Sequence, residues 1–162
     1  MRRAHLVCAL TLPLFVLAGC KALGGGKPAV AINSSEADVS ARWNGTLATP
    51  PGLAGALDLK GTAWMAPSGD QSTAVRISIS NAAPGGVHPW HVHSGDCGSQ
   101  GDILGPADAY RPLRVGDAGT ATADATLPIK MPTTGSYHVN VHASATNMST
   151  IIACGNLAPP LK

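Results

Sequence analysis

Between Thr73 and Ser80 the chain alternates without a break: Val75, Ile77 and Ile79 take one parity, Arg76, Ser78 and Ser80 the other. Period two marks a half-buried β-strand. No stretch after residue 38 carries the apolar spacing of an amphipathic helix. Further short runs, at 41–47, 59–66, 90–93, 118–127, 136–142 and 150–157, are separated by clusters of Gly, Pro, Asn and Asp. Seven or eight strands at this spacing predict an all-β domain, a Greek-key β-sandwich or flattened barrel. Pro67-Ser68-Gly69-Asp70 is expected to close the second strand. Residues 94–117, rich in Gly, Asp and Pro, read as one long loop, and a loop of that length inside a compact domain is usually functional.

The N-terminal residues do not belong to this pattern. Arg2 and Arg3 precede an apolar run from Leu6 to Ala18, too short to span a bilayer comfortably, which ends in Leu17-Ala18-Gly19-Cys20. Residues 1–19 therefore read as a lipoprotein signal peptide, with Cys20 as the lipidated new N-terminus. Residues 20–38 read as a flexible tether and 39–162 as one domain. The expected location is the periplasmic or outer side of a bacterial membrane.

Export gives the cysteines meaning. Of the four, Cys8 leaves with the leader and Cys20 takes lipid; Cys97 and Cys154 remain and are expected to form a disulfide. A metal–thiolate pair is the weaker alternative, because neither has a second cysteine near it. Loss of Arg2 and Arg3 from the eleven Lys and Arg leaves nine, against nine Asp and Glu. A near-neutral chain with no basic stripe is not expected to bind nucleic acid.

The chemistry concentrates in the histidines. Five of the six lie after the leader, three of them in His88-Pro-Trp-His91-Val-His93. On a strand His91 and His93 point to one face, about 7 Å apart along the chain. His138 and His142, in Tyr-His-Val-Asn-Val-His, also share a face. Imidazoles converging from two strands suit a borderline metal such as copper or zinc. Each ring could instead be an ordinary polar side chain on a solvated strand. Four residues of flat strand separate His138 from His142 by about 13 Å, too far for one ion without a bulge.

The segment His88-Pro-Trp-His91-Val-His93, followed by Gly95-Asp96-Cys97, resembles the copper-ligand strand of the copper/zinc superoxide dismutase family. Val141-His142 resembles that family's further ligand segment, Val115-Gly-Asp-Ala-Gly119 its V-G-D-L-G segment, and Ala153-Cys154-Gly155 its closing motif. The match runs in order over roughly residues 59–157. It implies a superoxide dismutase-like fold, one copper ion held by His91, His93 and His142, a Cys97–Cys154 disulfide, and His88 as a brace of the site that binds no metal. Superoxide or a copper ion is the implied small partner, and the membrane is met through the N-terminal lipid.

The departures are equally informative. No histidine occurs from 94 to 137, so the bridging histidine and the zinc histidines are absent; Asp102 and Asp108 are poor substitutes, and zinc is not expected. Ile151 stands where the family has its anion-attracting arginine. Arg111 or Arg114 could replace that charge, and Met148 or His138 could complete the metal site; each also reads as an ordinary loop or strand residue. The expectation is a tethered copper protein with weak superoxide dismutation, or a non-catalytic copper-holding or metal-free module of the same fold.

Overall fold

The computed structural model describes residues 41–160. The leader, Cys20 and the tether lie outside the described residues. Nine strands run in chain order: β1 Trp43–Ala48, β2 Lys60–Gly69, β3 Ser72–Ser80, β4 Val87–His88, β5 Trp90–Ser94, β6 Leu113–Arg114, β7 Ala121–Leu127, β8 Tyr137–Ser144 and β9 Asn147–Leu157. Seven form an antiparallel curled sheet in the order β5-β8-β9-β1-β2-β3-β7, and β4 pairs with β6 in a small second sheet. The fold is the expected all-β flattened barrel.

Alternation sets the inside. In β3, Val75, Ile77 and Ile79 are buried while Arg76 and Ser78 face outward. From β5 and β8, Trp90, Val92, Val139 and Val141 enter the same core and are fully buried. Each such side chain contributes about 1.5–3 kcal/mol on leaving water. Because the side-chain period is two, burying these four residues forces His91, His93, His138 and Asn140 onto the opposite face.

The structure revises several expectations. Pro67 does not end β2; the strand runs on to Gly69, with a register irregularity between Pro67 and Gly69. Bulges are where a ladder tolerates proline. The loop at 94–117 contains β6, which pairs with β4 through Val87↔Arg114 and His88↔Leu113. The chain after His142 is a tight hairpin, with Ser144 opposite Asn147, and Met148 lies in β9.

Candidate metal centre

β5 and β8 carry the site in a ladder. His93 faces His138 across the strands, and His91 faces Asn140. His142 follows beyond them, its backbone N–H donating to the Pro89 carbonyl at 2.8 Å. The register shifts between Val141 and His142, where β9 carries an extra residue. The sheet's local bend at such a bulge re-aims the neighbouring side chains.

One nitrogen each from His91, His93 and His142 lies within 4.8 Å of the others, a cluster that could hold a metal ion. The tautomers follow from the hydrogen bonds. His93 Nδ1 donates to the Gly101 carbonyl at 2.9 Å, and His142 Nδ1 donates to the Met148 carbonyl at 2.6 Å. In the neutral rings both protons are thereby placed on Nδ1, and both Nε2 atoms present lone pairs. His91 Nδ1 lies 3.3 Å from His142 Nε2. Two nitrogens bound at about 2.0–2.1 Å in tetrahedral geometry stand roughly 3.3 Å apart. His93 Nε2 is buried and has no hydrogen-bond partner. A buried lone pair without a partner costs about 1–3 kcal/mol, and a metal at this point would remove that cost. The donor set is three neutral nitrogens with no carboxylate, which suits copper or zinc over magnesium or calcium.

Electrostatics keep the rings neutral. His91 is pushed down to about 4, first by burial, then by His142 and His93. Burial also lowers His93 and His142; the Gly101 and Met148 carbonyls oppose it, and neighbouring imidazoles add to it. Neutral imidazole is the form that binds metal, so ligand deprotonation costs little at neutral pH.

The surroundings hold the rings in place. His138 is fully buried and stacks on His93, with ring centroids 5.4 Å apart and 19° between the planes. Its Nδ1 donates to the Gly95 carbonyl at 2.9 Å, and its Nε2 receives the Asn140 amide at 3.2 Å. Both nitrogens are thus engaged, and His138 supports a ligand instead of joining the cluster. His88 Nδ1 donates to the Ala143 carbonyl at 3.0 Å, bracing the strand that carries His142. Met148 contributes its carbonyl, while its side chain is 37% exposed. The loop after β5 is fixed at its root by the Cys97–Cys154 disulfide. A Cβ at Gly101 would collide with the Ser94 carbonyl, so only glycine lets this backbone come close enough to receive His93.

Three contributors escape a reading of the sequence. Tyr110 lays its ring edge-on against His91 at 5.2 Å and donates its hydroxyl to the Leu104 carbonyl at 2.7 Å; burial pushes its phenol up. Gly101 and Met148 act through their backbone carbonyls, which the sequence does not place beside a histidine. Asn140 was findable, since it occupies the same strand parity as His138 and His142.

A cavity of about 1210 Å³ opens beside His93. Its wall includes Pro51, Gln100, Asn140, Ile151 and the disulfide, and no charged residue. Ile151 is half-buried there. Arg111 and Arg114 line a separate groove beside β7 and not the cavity beside His93. Asp102 and Asp108 lie outside the histidine cluster. No protein-family model and no curated protein matches this sequence.

Proposed function

We propose that this chain is an envelope lipoprotein of superoxide dismutase-like fold that binds one copper ion through His91, His93 and His142 and dismutes superoxide slowly at most. The observation that carries the metal reading is the convergence of three imidazoles, two of which, His93 and His142, commit their Nδ1 protons to backbone carbonyls and turn their Nε2 lone pairs inward. Copper is favoured over zinc because the family resemblance falls on the copper ligands alone. A copper ion held by His91, His93 and His142 would supply redox chemistry to a small ligand.

The chain's own residues limit that chemistry. The mouth beside His93 carries no guanidinium or ammonium to draw in an anion. Local positive potential can change encounter rates by about 10–10³-fold. His138 is not free to pass a proton, because its two nitrogens are engaged by the Gly95 carbonyl and the Asn140 amide. The uncharged mouth favours, as a second reading, a copper-holding module with no turnover.

The test combines calorimetric copper titration with a superoxide assay on the same preparation. The proposal expects one equivalent bound, loss of binding in His91→Ala and His142→Ala, and turnover far below the diffusion limit. Fast dismutation would overturn the weak-enzyme reading. Absence of copper binding would leave a metal-free sandwich.

A further inference from the structure

The layer of side chains that carries the histidine trio holds two unpaired atoms. Among the described residues, two buried acceptors lack a hydrogen-bond partner: His93 Nε2 and Asn140 Oδ1. A metal accounts for the first. The second needs its own account, because Asn140 is 8% exposed and a buried amide oxygen normally finds a donor.

A chain of hydrogen bonds fixes which way this amide points. The Gly95 carbonyl can only accept, so His138 Nδ1 carries a proton toward it, at 2.9 Å. In the neutral ring Nε2 is then a lone pair and must receive a donor. The Asn140 atom 3.2 Å from it is therefore Nδ2. The flipped amide would set oxygen against that lone pair. Oδ1 is left as the acceptor with nothing to accept.

The register places this residue among the three imidazoles. Asn140 lies directly opposite His91 across the β5–β8 pair, and directly opposite side chains share a face. Along β8 it stands between His138 and His142, at the same parity as both. His138 in turn stacks on His93. We propose that Asn140 Oδ1 is a fourth, oxygen ligand to the ion held by His91, His93 and His142, an inference that rests on the copper reading above. An amide oxygen is neutral, and it serves as a weak axial donor in trigonal copper sites. Three imidazoles and one amide then complete a set of donors without bringing charge into the barrel wall. Oxygen is also the harder donor, so it favours Cu(II) over Cu(I).

The test loads the full chain with Cu(II) after selective labelling of the asparagine side-chain amides with a magnetic oxygen isotope, and reads it by pulsed EPR. The proposal expects strong coupling from the labelled oxygen beside that from imidazole nitrogen. Asn140→Leu, of similar size, should lose the oxygen coupling, bind copper about tenfold or more weakly against a competing chelator, and show a raised reduction potential. Asn140→Asp supplies an unlabelled oxygen: it should lose the coupling but recover the affinity. Imidazole coupling without oxygen coupling in the wild type would overturn the inference and leave the three-histidine site standing. Oxygen coupling that persists in either variant would place the signal on another asparagine and overturn it as well. A wild type that takes up no copper would remove the copper reading itself. Circular dichroism checks the fold of both variants, and if Asn140→Leu does not fold, the wild type and Asn140→Asp decide.

Discussion

His91 sets the behaviour of the site at the scale of single residues. Its ring is 7% exposed and sits between two other imidazoles, so protonation is penalised by burial and then by its neighbours. In the unfolded chain it titrates at 6.5; in the folded one the value is about 4. Between these limits the unfolded state binds more protons, so stability rises with pH. The metal-free protein should hold its full stability above about pH 6.5 and lose it progressively as pH falls toward the folded value. His93 and His142 shift in the same direction and add to the effect. Thermal melts across that window check this, and the slope should lessen in His91→Phe. A flat profile would contradict the lowered values. Copper should be retained until pH falls toward the lowered folded-state value of about 4, where protons begin to compete for the same lone pairs.

At the scale of elements, the ladder on β5 and β8 depends on the loop after β5. Cys97–Cys154 ties that loop to β9 across 57 residues of sequence. Replacing both cysteines by serine should cost roughly 2–5 kcal/mol, read from urea denaturation of the oxidised protein. Gly101→Ala should be more local: the fold persists, but the carbonyl that orients His93 moves, and metal affinity falls by about 10–100-fold, as when a ligand's hydrogen-bond partner is lost. Unchanged affinity would show that His93 needs no such anchor. The long strands were legible because one face had to be apolar, and Val75-x-Ile77-x-Ile79 can serve no other period. The histidine trio was legible for the same reason, through parity and order. β4 and β6 were not, because two-residue strands carry no period at all. The roles of Gly101 and Met148 were hidden as well, since each acts through a backbone carbonyl, and the need for glycine at 101 shows only once the Ser94 carbonyl is seen beside it. Pro67 misled because its cost depends on register, which is a property of the partner strand.

At the scale of the whole domain, the described residues form a flattened barrel with an uncharged cavity beside His93. Nothing in that mouth steers an anion, so any dismutation by the copper-loaded protein should respond little to ionic strength, whereas a steered enzyme slows as salt is added. Ile151→Arg places a guanidinium in the cavity that His93 lines. It should raise the superoxide rate by about tenfold or more and make it salt-sensitive. An unaltered rate would show that the limit lies in the missing proton path and not in encounter. Ile151 is only half-buried and borders the cavity, so the substitution should be tolerated.

The central claim is that three imidazoles, fixed by carbonyls and kept neutral by burial, form one copper site. It is tested most directly by loading the protein with copper, dialysing it at neutral pH against a weak competing chelator, and counting the metal retained. The account predicts one copper per chain in the wild type and none in His91→Ala or His142→Ala, with all three proteins showing the same β-rich circular dichroism. A wild type that retains no copper, or variants that retain as much as the wild type, would contradict it.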